Sequence, residues 1–295
     1  MPDIARPAGP RPVASILVTG ATGNLGREVV ARLQARDAHV RRFVRPAADF
    51  DQDPNIETAT GDLTDRVTVR AALAGVETLV LIWPLLEAAP ARVVMEELAE
   101  TAPRIVYVSS TAIDDDAPRQ SDPIVQTHKD METMLADAGL RPRVLRSDTL
   151  ASNVRGWTAQ LRAGDIVTGP DIARTAVVDE RDVADAIVAA ALTNPTQLDR
   201  GPYLLTGPEL LSRADLVETL GSALRRRLHF DAVPVDLART RMLTDGRPAA
   251  LVEALISASR YRPESTLVTD HVERLTGRPA TTFARWALDH VADFR

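Results

Sequence analysis

The sequence predicts an α/β fold, a doubly wound parallel sheet carrying a smaller C-terminal cap. Three observations predict it. A β-branched run, Ser15-Ile16-Leu17-Val18-Thr19, ends on Gly20, and Gly23 and Gly26 follow at three-residue spacing. From Asn24 the apolar residues Leu25, Val29, Val30 and Leu33 recur at helical intervals. Short apolar runs then alternate with helical patterns through the first half, the rhythm of βαβ units in a parallel sheet.

In chain order, strands are expected at 15–19, 39–44, 56–59, 77–82, 104–109 and 143–146, with helices at 24–36, 65–74, 87–100 and 122–138. Right-handed crossovers put every strand C-terminus on one edge, where ligands bind at the switch point. After about residue 150 the rhythm changes. Strand-like pieces at 175–178, 203–206 and 229–234 stand between helices near 182–193, 212–227, 248–260 and 281–292. Asp182 and Ser212 occupy N-cap positions of two of these helices.

Composition narrows the function. A chain of 295 residues, 45% hydrophobic, can bury a large core. No run approaches the roughly 18 apolar residues of a membrane span. Residues 1–14, with Pro2, Pro7, Pro10 and Pro12 and no apolar core region, read as a disordered tail rather than a signal peptide. The absence of cysteine excludes disulfides, thiolate catalysis and cysteine-held metal, and it fits a cytoplasmic setting. The net charge of −6 has both signs spread along the chain, which argues against nucleic acid or membrane as partner. His39, His128, His229, His271 and His290 have no metal-ligand spacing, and no serine sits on a nucleophile elbow. Lys129 is the only lysine; with the high alanine content, this reads as the codon usage of a GC-rich genome.

The glycine loop carries the chemistry. Strand, tight turn and helix present backbone N–H groups and a helix N-terminus to a dinucleotide pyrophosphate, which makes Gly20, Thr22, Gly23, Asn24, Leu25 and Gly26 cofactor candidates. Such a loop defines a Rossmann-type sheet. At the end of the second strand, where an NAD site places a carboxylate, this chain has Arg41-Arg42-Phe43-Val44-Arg45. Arg45, with Arg41 or Arg42, suits a 2′-phosphate and hence NADPH. Gly61-Asp62-Leu63 follows the third strand, and Asp62 either accepts from the adenine amino group or caps the next turn. Trp83-Pro84 ends the fourth strand, beside the nicotinamide ribose or in a plain packing role. Ser109, Ser110 and Thr111 close the fifth strand at the ligand crevice, so a hydroxyl there either bonds a substrate carbonyl or makes a local turn.

These segments, with His128 through Glu132, Leu145-Arg146, Asn153, Val178 through Ala184 and Leu275-Thr276-Gly277-Arg278-Pro279, resemble NmrA-like atypical short-chain dehydrogenases over nearly the whole chain from residue 15. The resemblance implies NADP(H), a Rossmann domain over 15–150 and a substrate-binding cap over 151–295, with some mixing of segments. Ordinary short-chain dehydrogenases carry a tyrosine and a lysine four residues apart on the helix after the fifth strand. Aligned on Glu132, this chain has Ile124 and His128 there; aligned on Lys129, it has Val125 and Lys129. Neither register supplies a phenol. Tyr107 lies inside a strand, and Tyr203 and Tyr261 lie in the cap.

Hydride transfer needs placement more than a general acid, whose loss costs about 10²–10⁴ in rate. His128 is a candidate proton donor, ribose contact or surface residue, and Ser109 and Ser110 are the other catalytic candidates. Lys129 points about 100° away from His128 and is expected in solvent. Asp148 and Asn153, in the loop after the sixth strand, join Trp83 and Thr111 as substrate candidates. The aromatic-poor cap suggests a roomy apolar pocket for a small-molecule substrate. The reading is an NADPH-dependent ketoreductase acting on a polycyclic aromatic or quinone-like ketone. The missing tyrosine and the composition resemble angucyclinone-type ketoreductases of antibiotic biosynthesis in secondary metabolism. The alternative is a non-catalytic NADP(H)-binding redox sensor.

Overall fold

The computed structural model describes residues 15–295 except 47, 49, 51, 52, 102, 195, 196 and 198–200. The expected tail at 1–14 lies outside the described residues. The strands are β1 (Ser15–Val18), β2 (His39–Val44), β3 (Glu57–Thr60), β4 (Thr78–Ile82), β5 (Arg104–Ser110), β6 (Arg143–Ser147), β7 (Ile166–Gly169), β8 (Tyr203–Leu205) and β9 (His229–Ala232). Seven form one sheet in the order β3-β2-β1-β4-β5-β6-β8, every pair parallel. The switch point falls between β1 and β4, which flank each other although two strands separate them in the chain. Thr19 stitches that junction: its hydroxyl donates to the Ile82 carbonyl and accepts from the Ile82 N–H, each at 2.9 Å.

Buried on both faces, the central strands are nearly continuous in apolar residues, as Thr78-Leu79-Val80-Leu81-Ile82 shows. One face packs on α1 (Asn24–Gln34) and α6 (Glu180–Leu192) through Val29, Leu33 and Ile187. The other packs on α2 (Arg66–Leu73), α3 (Arg92–Thr101) and α4 (Pro123–Asp137) through Leu73, Leu98, Met131 and Leu135. Truncating a buried leucine such as Leu33 to alanine costs about 2–5 kcal/mol.

The C-terminal half returns to the sheet through α6 and β8 and builds two further cores. Trp286 and Phe283 of α11 (Phe283–Asp289) pack against α7 (Arg213–Leu224) near the β7–β9 pair. A small cluster of Ala238, Val252 and Ile256 holds α8 (Val235–Thr244) against α9 (Ala249–Tyr261).

Three expectations for this half change. Residues 175–178 form no strand; only single bridges occur, Thr175 to Leu211 and Val178 to Leu150, because the segment runs between two pieces of structure and pairs at its ends. The sequence reading lacks β7, α5 (Thr158–Ala163), α8 and α10 (His271–Thr276). These elements are short, or in α8 bury a single residue, Ala238, and so lack a periodic signal. Asp182 is not an N-cap. The cap of α6 is Asp179, which accepts from Arg181 N–H at 2.8 Å, while buried Asp182 accepts from Thr281 N–H at 2.6 Å and pairs with Arg278 at 2.6 Å. Arg278 also reaches Asp185 at 2.6 Å, so the segments 178–184 and 275–279 meet as a structural clamp. Ser212 does cap α7, in a reciprocal box with Asp215.

Candidate active site

The turn after β1 is shaped by two glycines. Gly20 has φ +60°, which an L side chain rarely adopts, and a Cβ on Gly26 would lie 2.1 Å from the Gly20 carbonyl oxygen. Gly23 precedes α1 as its N-cap and has no side chain to shield the helix's first N–H groups. This is a backbone cradle of the kind a pyrophosphate occupies.

Above it, along the C-terminal ends of β1, β4, β5 and β6, lies a cavity of about 1260 Å³. That exceeds the roughly 300–1,000 Å³ of common ligand pockets, room for a dinucleotide and a second molecule. Of the sequence candidates, Gly20, Thr22, Gly23, Asn24, Leu25, Gly26, Arg45, Asp62, Leu63, Trp83, Pro84, Ser109, Ser110, His128, Asp148 and Asn153 line it. Gly61 and Thr111 do not. Gly61 packs under Thr68 of α2, where a Cβ would lie 2.4 Å from Thr68 Cβ, and Thr111 donates its hydroxyl to Asp148 at 3.0 Å.

Arg45 is exposed at the cavity rim, with no hydrogen-bond or ion-pair partner among the described residues. Arg41 and Arg42 are turned elsewhere. Arg41 pairs with Glu57 at 2.7 Å and donates to the Ala72 and Ala74 carbonyls; Arg42 donates to Thr58 at 2.8 Å and stacks on Phe50. Alternation along β2 turns Arg42 to the side opposite Arg45, whereas Arg41 shares Arg45's parity but lies four residues back along the strand, where Glu57 and the end of α2 hold it. Asp62 accepts from Thr64 N–H and Thr64 Oγ1, both at 2.8 Å, and Thr64's N–H holds its carboxyl below the ordinary range. It therefore caps the turn with one oxygen, and its second oxygen has no hydrogen-bond partner among the described residues. The Trp83 indole N–H is engaged by the Glu87 carbonyl at 2.9 Å, which fixes the ring in the wall.

On α4, Ile124 and His128 line the cavity while Val125 is fully buried in the core, the register that aligns Glu132. Lys129 does not line it. It is partly buried and paired with Asp115 at 2.9 Å rather than free in solvent. Arg146 joins Asp115 and Glu132 at 2.6 and 2.7 Å, and Ser109 donates to Glu132 at 2.6 Å. The Ser109 proton is thus committed to a structural network. Ser110 differs: its oxygen accepts from Ala112 N–H at 3.2 Å, and its own proton has no acceptor among the described residues.

Burial pushes the His128 imidazole down to about 4, so the ring is neutral at physiological pH. Its Nδ1 shares a 2.9 Å hydrogen bond with the Tyr107 hydroxyl. Burial also raises the Tyr107 pKa, which keeps the phenol protonated; donating to Nδ1, it leaves the ring proton on Nε2. Tyr107 therefore reaches the site through His128, a link its place inside β5 conceals in the sequence. Asp148 is raised by burial, against hydrogen bonds from Thr149 N–H and Thr111. Arg262, at the end of α9, lines the same cavity, pairs with buried Asp122 at 3.0 Å and lowers the pKa of both His128 and Asp148. Nothing in its local sequence marks it.

The cradle, the rim arginine and the strand-end groups fit a nicotinamide dinucleotide along the sheet edge. Fold and site together define a Rossmann-type NAD(P)H-binding protein. The chain belongs to the family described as NAD(P)H-binding, which residues 20–195 match. It is 33% identical over 284 residues to a Streptomyces griseus protein named (4-alkanoyl-5-oxo-2,5-dihydrofuran-3-yl)methyl phosphate reductase, covering 95% of this chain and 99% of that one. It is 30% identical over 285 residues to an NAD(P)H azoreductase of Xenophilus azovorans, with coverage of 95% and 99%. An NADPH-dependent quinone oxidoreductase of Escherichia coli, solved with NADPH, shares the fold at TM-score 0.75 and 22% identity, covering 94% and 99% of the two chains. The protein is an NAD(P)H-dependent oxidoreductase. Among the described residues, no helix is long and apolar enough to cross a membrane.

Proposed function

We propose that this protein is an NADPH-dependent reductase acting on an electron-poor carbonyl, or a carbon conjugated to one, in a largely apolar substrate. The observation that carries the reading is the His128 environment. A neutral imidazole with Nδ1 engaged by Tyr107 offers its Nε2–H to a substrate oxygen as a fixed hydrogen-bond donor, without first losing a proton. Ser110 supplies a second donor on the same wall, an uncommitted hydroxyl. Arg262 adds positive charge where negative charge develops on that oxygen. Asp148, raised by burial, is the carboxyl on that wall through which a proton taken up from solvent can pass to the reduced product. Ile124, at the position where, in the Glu132 register, ordinary short-chain dehydrogenases carry tyrosine, gives the wall an apolar side chain there.

NADPH, when bound, supplies the hydride. Arg45 reads the 2′-phosphate through its unengaged guanidinium, which favours NADPH over NADH. Residues 15–150 supply the cofactor half and 151–295 the substrate half, with α6 and β8 of the second returning to the sheet of the first. The Streptomyces griseus relative is named for an acylated oxo-dihydrofuran, an electron-poor conjugated carbonyl system of the kind proposed here.

The test is NADPH oxidation by the purified protein against conjugated lactones, quinones and polycyclic aromatic ketones, with product analysis. Turnover above background to a reduced product in at least one class supports the reading. Rates at background throughout, with NADPH tightly bound, contradict it. The aromatic ketone arm also tests the secondary-metabolite role expected from the composition.

A further inference from the structure

The wall contributed by residues after 150 contains three arginines that the hydride chemistry does not use, exposed Arg241 and the two partly buried residues Arg213 and Arg247. Arg213, the first residue of α7, is partly buried, and its one hydrogen bond among the described residues is to the Pro170 carbonyl at 2.7 Å. Arg247, in the loop between α8 and α9, donates to the Gly156 carbonyl at 3.1 Å and has no other such partner there. A guanidinium has five N–H donors, so most of both groups' capacity is unspent. Neither forms an ion pair among the described residues. Both line the cavity.

Space has been kept for them. A Cβ on Gly169 would lie 2.7 Å from Arg213 Nη1, and one on Gly156 would lie 3.1 Å from Arg247 Nη2. Two glycines on separate segments thus leave room for two guanidiniums. The pair is also costly in isolation. Burial, with the nearby charge of Arg247, brings Arg213 down to about 10, although Asp171 acts the other way. Arg241 lines the same wall, and Asp245 is the carboxylate beside it on the cavity side. A positive wall inside a chain of net charge −6 calls for an anion.

We infer that Arg213 and Arg247 form a subsite for a phosphate monoester carried by the substrate. Two adjacent guanidiniums match a group with three terminal oxygens and a charge of about −1.5 to −2 better than they match a carboxylate. The subsite anchors the substrate by a group remote from the reacting carbon, which orients that carbon without taking part in the reaction. It depends on the reductase reading only in taking the ligand to be the substrate.

The test uses the full chain saturated with NADPH, so that the glycine loop and Arg45 are filled, and phenyl phosphate as probe. Calorimetric titration is expected to show phenyl phosphate bound at least tenfold tighter than phenol or benzoate. Arg213→Gln and Arg247→Gln should each weaken it about 10–100-fold, the loss of charge-assisted hydrogen bonds. Gly169→Ala, which pushes on Arg213 without removing its charge, should weaken it as well. NADPH affinity, measured in parallel, reports that each variant is folded. Phenyl phosphate bound no better than phenol, or unaffected by either arginine substitution, overturns the subsite. Benzoate bound as tightly as phenyl phosphate overturns the phosphate assignment. Because this is a binding measurement, it stands or falls separately from turnover.

Discussion

At the glycine loop the cavity wall is backbone, and the decisive distance is 2.1 Å between a hypothetical Gly26 Cβ and the Gly20 carbonyl. In the cap it is long side chains: Arg213 from α7, Arg247 from a loop and Arg262 from the end of α9 all converge on the same space. A backbone cradle tolerates no side chain but is indifferent to what is bound beyond it. A side-chain wall can be rebuilt one residue at a time. The cofactor end is thus fixed by sterics, whereas the substrate end is set by charge and hydrogen bonding, the part a family can vary while keeping its hydride chemistry.

The sharpest way to break the contrast is Gly26→Ala. It should weaken NADPH more than about 100-fold in a fluorescence titration, since its methyl group has no free direction. Retention within threefold, with an unchanged circular dichroism spectrum, would remove the steric account. Next in size is His128→Gln, expected to lower kcat about 100-fold with little change in NADPH affinity, while Tyr107→Phe, which frees only the ring orientation, costs about tenfold. Arg45→Asp should raise the NADPH Kd about 10–100-fold and leave NADH within threefold. Equal losses for both cofactors would mean that Arg45 does not read the 2′-phosphate.

Acid offers a subtler probe. His128 has a folded value near 4 against 6.5 for the free side chain, so between these values the unfolded chain takes up a proton that the native protein refuses. Its contribution to stability is complete above pH 6.5 and is lost as the pH falls toward 4. His128→Gln should flatten that part of the stability profile in urea unfolding; an unchanged slope would contradict a buried neutral ring. The smallest effect belongs to Lys129→Met. Its partner Asp115 is half in solvent and also held by Arg146, so unfolding should shift by no more than about 1 kcal/mol.

The same contrast explains what can be read in the sequence. The run from Ser15 to Gly26 specifies strand, turn and helix through local constraints, and the structure follows it to within a residue or two. The position of His128 on the cavity side of α4 follows from helix geometry once Glu132 sets the register. The misreadings share a cause. Asp182 looks like a cap until Thr281 and Arg278, distant in sequence, claim its carboxylate. Arg41 and Arg42 look like cofactor ligands until Glu57 and Thr58 on the neighbouring strand engage them. Ser109 looks free until Glu132 accepts its proton. Arg213, Arg247 and Arg262 are three among many arginines, and only tertiary packing separates them from the solvated ones. Local backbone geometry is written in adjacent residues; a side chain's partner is not.

The most direct test of the account is single-turnover reduction of a conjugated carbonyl substrate with NADPH carrying deuterium at both C4 positions of the nicotinamide. Deuterium is expected on the carbonyl carbon itself or, in a conjugated substrate, on the carbon β to it, at a rate lowered about 100-fold by His128→Gln. Product without deuterium, or a rate indifferent to His128, would contradict it.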